Sequence, residues 1–341
     1  VSARGGPWRQ ALARLRRDRA AWLSLWFLAG IALLCACVPL LPLPSPIAFE
    51  LQREPGAPVP PWVEWGNSRY EPEYWPLGAV DSALVELRQQ LFGSWQSGAW
   101  LGTDAKGRDV LARIAWGSRT SLLAALAAGL CSLFIGVGYG AIAGYAGGRV
   151  DRAMMRLVDV LYSLPFIFVV IFAITLLNEY RTELRDRFGI DRELVFYALI
   201  GAIYWLTMAR VVRGQVLALK HAEFVLAARA LGASNARILL SHVLPNVLSV
   251  VIAYLTLTIP AVMLFEAFLS FLGLGIEPPR VSFGLLAVDG IEALHPLRLC
   301  WWLVLWPALA MASVLLALNL LGDGLRDALD PRLAREGASA S

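Results

Sequence analysis

Charge is what this 341-residue chain lacks. Only 16% of its residues are Asp, Glu, Lys or Arg, whereas soluble domains carry about 25%. Hydrophobic residues make up 58%, and the mean hydropathy is +0.60. This balance points to a membrane protein before any motif is read. Cysteine and histidine are scarce as well. Cys35, Cys37, Cys131 and Cys300 all lie in apolar runs, and Cys35-x-Cys37 is not the spacing of a redox pair. They read as small buried hydrophobes, with no structural disulfide expected. His221, His242 and His295 are scattered, so the sequence offers no metal site and implies no cofactor.

Catalytic motifs are also missing. There is no G-x-x-x-x-G-K-[ST]; the stretch Gly102–Arg108, "GTDAKGR", lacks that spacing. No H-E-x-x-H, G-x-S-x-G or H-x-E with paired cysteines occurs, so the residues give an enzymatic reading no support. Ionisable residues inside the apolar runs are few: Asp159, Glu266 and Asp323. Each sits near a run's end and is expected to be a solvated end charge. A proton- or sodium-driven carrier keeps ionisable groups in mid-membrane. If this chain moves a solute uphill, the energy comes from elsewhere.

What the chain does have is long apolar runs. A hydrocarbon core of about 30 Å needs about 20 apolar residues of helix. Six segments qualify: Ala21–Leu43, Ser121–Tyr145, Leu157–Leu177, Leu194–Val212, Leu244–Leu272 and Cys300–Leu321. The first is too long for a secretory signal and is read as a retained anchor. "LPLPSPIAFE" follows it, and its prolines end the helix. The expectation is an all-α polytopic protein with six transmembrane helices.

Orientation follows from the arginines. Arg4, Arg9, Arg14, Arg16, Arg17 and Arg19 stand against a single acid, Asp18, in the first twenty residues. A nucleic-acid arm is the rival reading, but an apolar run follows at once, so a cytoplasmic flank is preferred. With that end inside, the inner loops hold Arg149, Arg152, Arg156, Arg213, Lys220, Arg229, Arg237, Arg326, Arg332 and Arg335. The outer segment before the second run is acidic, with Asp104 and Asp109 among its members. Both termini are therefore placed in the cytoplasm. The organisation reads as an Arg-rich arm over 1–20, a first span over 21–43 and an outer, Trp- and Pro-rich cap over 44–100. A core of five spans over 101–322 follows, with an inner loop at 213–245, and then a tail over 323–341. Trp301, Trp302 and Trp306 suit an interfacial belt, and "GLGIEPPRVSFG" suggests a tight re-entrant or surface turn.

Two local patterns carry the functional reading. Gly136, Gly140, Gly144 and Gly148 recur every four residues and so share one helical face. A face without side chains lets another backbone approach closely in lipid. It serves packing within the subunit, packing against a partner, or the translocation path. The second pattern is "EFVLAARALGASNARILLSHVLPN", Glu223–Asn246, on the inner side. Good helix formers run to Leu231, and Gly232 can take the left-handed conformation that ends a helix. Ser234 or Asn235 can cap a second short helix through Leu240. Pro245 then falls in the first turn of the fifth span. The expectation is two short helices with a bend. A plain lipid-binding surface helix would need arginines along a whole face, and only Arg229 and Arg237 are present.

These residues resemble a known family, the membrane-spanning permease subunits of bacterial ATP-driven importers. The family's cytoplasmic motif is E-A-A, three residues, G, nine residues, I-x-L-P. Ala227-Ala228, Gly232 and Leu244-Pro245 fall at those spacings. Leu226 stands in the place of the glutamate and His242 in that of the isoleucine, while Glu223 keeps an acid one turn earlier. Four further blocks, "LGTDAKGRDVLARIAWGSRTSL", "GYAGGRVDRAMMRLVD", "FLSFLGLG" and "LGDGLRDALDPR", are similar to the peptide and nickel branch.

The resemblance implies the type I ABC importer permease fold and coupling to cytoplasmic ATP-binding subunits through Glu223, Ala227, Ala228, Gly232, Arg237, Leu244 and Pro245. As partners it implies a second homologous permease, a periplasmic or extracellular solute-binding protein, the lipid bilayer and a peptide-like solute, with no nucleic acid. ATP hydrolysis would belong to the partner, with no catalysis by this chain. The rivals are a self-sufficient channel or secondary carrier, which would transport without an ATPase, and a membrane scaffold with no transport role.

Overall fold

Proline, glycine and serine set the boundaries of the helices in this computed structural model. It describes residues 7–47, 66–67, 74–97, 99–180, 183, 186–187, 192–295 and 298–329. The helices are α1 (Pro7–Arg17), α2 (Arg19–Cys37), α3 (Ala79–Phe92), α4 (Val110–Ala146), α5 (Gly148–Ser163), α6 (Phe166–Glu179), α7 (Arg192–Leu219), α8 (Glu223–Ala230), α9 (Asn235–Ile238), α10 (Leu244–Phe271), α11 (Phe283–Glu292) and α12 (Trp302–Leu329). Among the described residues β-structure is limited to two antiparallel pairings of two residues each, Gly66–Asn67 with Trp95–Gln96 and Leu294–His295 with Arg298–Leu299, and an isolated antiparallel bridge between Thr103 and Asp109. The all-α expectation holds.

Among the described residues five helical segments are long and apolar enough to cross a membrane: Arg19–Leu40, Val110–Ala146, Leu194–Leu219, Asn235–Phe271 and Trp302–Leu329. A sixth span is reached only if α5 and α6 count as one. The expected straight run Leu157–Leu177 is broken there, with an 83° bend between Gly148–Ser163 and Phe166–Leu176. Leu164-Pro165 explains the break. Leu164 is extended, at φ −75 and ψ 133, because the residue before proline is pushed out of the helical region, and Pro165 has no N–H to donate.

The chain divides into two units. The first comprises Val1–Leu25, Ala125–Val262 and Ala317–Ser341. Its core joins Ala141, Met208, Val212 and Val216 to Val225, Ile238, Val243 and Val247. A separate cluster seats Ala11 and Leu15 with Ala21 and Ala328. Arg213 grips Asp151 with two donors, at 2.5 and 2.7 Å, a fork geometry that fixes orientation as well as charge. Asp159 is exposed and pairs with Arg210 at 2.9 Å.

The second unit comprises Trp26–Ala124 and Met263–Leu316. Trp75 meets Trp116 edge to face at 5.0 Å inside a cluster with Val38, Leu43, Ala112 and Ala115. Arg88 donates to the Leu43 carbonyl at 3.1 Å and to the Tyr74 hydroxyl at 2.7 Å. Burial pushes the Tyr74 phenol up, with the Arg88 guanidinium opposing the rise. Much of the expected outer cap, residues 48–65, 68–73 and 98, lies outside the described residues.

Two buried polar groups in this unit are held in networks that the sequence does not disclose. Asp104, one of the acids of the outer segment, is buried. It accepts from Arg108 at 2.6 Å and Arg113 at 2.7 Å, and Arg113 also reaches Asp289 at 2.5 Å. Glu266 is fully buried rather than a solvated end charge. Its two carboxylate oxygens accept from Ser121 at 2.7 Å and Ser270 at 2.8 Å. Those hydroxyls accept in turn from the Phe283 and Ile276 N–H groups. Buried polar groups persist where they find hydrogen-bond partners, and this carboxyl closes two relays, one to Phe283 at the start of α11 and one to Ile276 in the loop before it. Trp302 is likewise buried and donates to the Thr103 carbonyl at 3.1 Å, so of the expected Trp belt it is Trp301 that stands exposed.

Candidate functional site

The α8–α9 bend is closed by backbone chemistry alone. Leu231 caps α8, and Gly232 follows at φ +81, a region that costs side-chain-bearing residues about 1–2 kcal/mol. The Ala233 N–H donates to the Ala228 carbonyl at 3.1 Å and the Gly232 N–H to the Arg229 carbonyl at 3.0 Å. This is the paired closure of a Schellman motif. Ser234, rather than Asn235, then caps the next helix, its hydroxyl accepting from the Arg237 N–H at 3.4 Å.

The second short helix does not stop near Leu240 as the sequence suggested. α9 runs through a π-turn, Leu239–Val243, directly into α10, giving one helix over Asn235–Phe271. Pro245 supplies the reason. It lacks the N–H that an α-helix would spend on residue 241 and its ring crowds that carbonyl, and a widened turn just before it absorbs the mismatch. The Asn246 side chain donates to the His242 carbonyl at 2.6 Å.

The pair has two faces. Val225, Ala228, Ile238 and Val243 point into the core of the first unit. Glu223, Ala227, Gly232, Arg237 and Pro245 are exposed, and Leu244 is half-buried. Ala228 is thus an anchor of the bend and not part of its open face. Sequence reasoning missed the most prominent features of that face: Leu231 is 89% exposed, and Phe224, Leu226 and Leu240 are exposed too. Helical spacing carries the signal, since Phe224, Ala227 and Leu231 stand at i, i+3 and i+7. A protruding leucine beside a glycine turn, rimmed by Glu223, Arg229 and Arg237, has the make-up of a contact site with a protein groove. Tyr145, at the end of α4, props the bend from behind. Its hydroxyl donates to Asn235 at 3.0 Å and accepts from Arg229 at 3.5 Å, and Lys220 stands 5.8 Å over its ring.

The glycine face leads to the same place. A Cβ on Gly136 would stand 2.6 Å from Met208 Cβ, one on Gly140 would collide with the Ala209 carbonyl, and one on Gly144 would lie 2.9 Å from the Arg213 carbonyl. Three of the four glycines therefore pack α4 against α7 within the subunit. Gly148 is not on that face. It has left α4, starts α5 at φ +56, and has nothing within 4 Å of a would-be Cβ. The four-residue period ends with the helix that creates it. α7 runs on to Leu219, four residues before α8 begins, so the glycine contact positions the strut that carries the bend. Among the described residues no cluster of His, Cys, Asp and Glu could hold a metal ion.

Comparison with known proteins places this architecture. Residues 136–335 match the family model described as binding-protein-dependent transport system inner membrane component. Residues 6–55 match the N-terminal transmembrane domain of oligopeptide transport permease C. The chain is 44% identical over 236 residues to the dipeptide transport system permease protein DppC of Bacillus subtilis, 69% of each chain. It is 47% identical over 233 residues to the oligopeptide transport system permease protein OppC of Haemophilus influenzae, 68% of this chain and 70% of that one. It is also 39% identical over 325 residues to OppC of Escherichia coli, 95% of this chain and 91% of that one. The chain belongs to the inner-membrane components of binding-protein-dependent transport systems, in the branch of the oligopeptide and dipeptide permeases.

Proposed function

We propose that this chain is one of two permease subunits through which an ATP-driven importer passes peptides or peptide-like solutes into the cell, and that the α8–α9 bend docks into cytoplasmic ATP-binding subunits. The observation that carries the proposal is the exposed apolar knuckle of Phe224, Ala227 and Leu231, locked in shape by the Gly232 closure. ATP hydrolysis belongs to the docked partner, and an external binding protein delivers the solute. The names of the relatives support the solute class, and the exposed knuckle supports the docking site.

A rigid bend suits this role. Its inner face is continuous with the apolar core over α7 and α10, so displacement at the knuckle is carried into the spans. Glu266 does not favour a secondary carrier. It is sealed by serines and, among the described residues, no second carboxylate or cation hydrogen-bonds it, whereas a proton or ion route needs a chain of such groups.

Gly232→Asp tests the proposal. A Cβ has open space here, so the substitution leaves membrane insertion intact while changing the bend's backbone preference and its outer surface. Uptake of labelled peptide in a strain deleted for the chain should be abolished. Uptake at the wild-type rate would remove the docking role, and transport by the purified chain in liposomes without ATP-binding subunits would establish the carrier instead.

A further inference from the structure

The arginine-rich arm ends in a structured helix. α1 stops at Asp18, whose Oδ1 accepts from the Ala20 and Ala21 N–H groups at 2.9 and 3.2 Å. That capping starts α2 after a one-residue interruption, so α1 is tied within one turn to the first spanning helix. One edge of α1 is sealed: Ala11 and Leu15 bury against Ala21 and Ala328, with Leu321, Leu325 and Leu329 around them. Gly324 makes the seat possible, because a Cβ there would collide with that of Ala21.

The other arc of α1 is open. Leu12, Arg16 and Arg17 are exposed, as is Arg19 at the start of α2. Arg16 lies 5.2 Å over the Trp22 ring, and the next residue, Leu23, is an exposed apolar side chain of the span. None of Arg16, Arg17 and Arg19 is in an ion pair among the described residues. Asp18 is spent as a cap. Three guanidinium groups against the single carboxylate of Asp18 therefore stand beside apolar side chains at the foot of a membrane span.

We propose that the open arc of α1 binds acidic phospholipid, with Arg16, Arg17 and Arg19 on headgroup phosphates and Leu12 in the acyl boundary. Three features select this occupant. The attachment to α2 fixes the arc at the water–lipid boundary. Guanidinium forks match phosphate oxygens in pairs. Leu12 beside Arg16 gives the arc both an apolar and a cationic side, as an interfacial helix needs and a nucleic-acid arm does not. Because the sealed edge of α1 sits on the cytoplasmic end of α12, bound headgroups also hold that end of the last span at the membrane surface.

Hydrogen exchange on the full-length chain in lipid nanodiscs tests this. Each arginine near an anionic surface contributes roughly fivefold to binding. Amides of residues 11–20 should exchange at least several-fold more slowly when phosphatidylglycerol is added to phosphatidylcholine. High salt should remove the difference, since headgroup attraction is screened. R16Q/R17Q/R19Q should lose it, and R16K/R17K/R19K, which keeps the charge, should retain most of it with the same melting temperature. Equal exchange in both lipids, or full protection in the glutamine variant, would overturn the proposal. So would protection that appears only when the ATP-binding subunits are added, whatever the lipid, because the arc would then be a protein contact.

Discussion

Leu231→Ala isolates the docking claim better than any change inside the fold. The side chain is 89% exposed in the subunit, and its backbone, at φ −80 and ψ 5, accepts alanine without strain. Fold stability should therefore change by no more than about 0.5 kcal/mol. If the knuckle is buried in a partner groove, truncation removes three carbons from a dry contact. At about 0.8 kcal/mol for each methylene-sized group, the loss is about 2.4 kcal/mol, roughly fiftyfold in Kd. The assay is a titration of full-length permease in nanodiscs with the ATP-binding subunits, with thermal unfolding of the same samples in parallel. Leu231→Asp should abolish the complex, because a carboxylate entering an apolar groove has no partner there. Ala228→Asp is the contrast: its side chain points into the core, so the melting temperature falls before docking is tested. An unchanged Kd for Leu231→Ala, with unchanged uptake, would refute the reasoning.

Gly232→Ala should cost about 1–2 kcal/mol locally, as alanine resists φ +81, and reduce coupled ATPase activity; Gly232→Asn, which tolerates the left-handed region, should recover most of it. Gly140→Val should lower the melting temperature, because its Cβ meets the Ala209 carbonyl, with overpacking costing about 1–3 kcal/mol, whereas Gly138→Ala has open space and should be silent. Glu266→Gln should destabilise by about 1–3 kcal/mol, since an amide accepts on one side only and strands one of the Ser121 and Ser270 hydroxyls. Glu266→Ala, which strands both, should melt lower still.

The sequence made the spans legible because lipid tolerates only long apolar helices at this composition, and the bend legible because its chemistry is local. Gly232 and Ser234 act on their immediate neighbours, so spacing alone locates the closure and the cap. Pro165 was also in plain view, but apolarity runs on through Leu164-Pro165, and a hydropathy reading joins what the backbone breaks. The π-turn before Pro245 escaped for a related reason: a proline near a helix start usually marks the start, and here the helix had begun ten residues earlier at Asn235. Glu266 illustrates a different limit. Its partner Ser270 lies only four residues on, but its other partner, Ser121, is 145 residues away, so the chain near Glu266 discloses only half of the seal. The glycine stripe disclosed a face and not its neighbour, because periodicity records which side is bare but not that Met208 and Ala209 fill it.

The uninterrupted helix from Asn235 to Phe271 has a mechanical consequence. Its 37 residues extend about 55 Å, against a hydrocarbon thickness of about 30 Å, so a substantial length stands clear of the acyl chains. Between the elbow and the lipid boundary the helix is modified only by the π-turn Leu239–Val243 and is never interrupted by a loop. The one proline in the interior of α10 is Pro260, a second place where the helix can flex. A stroke delivered at the elbow would thus travel along one continuous helix toward the depth where a solute has to pass.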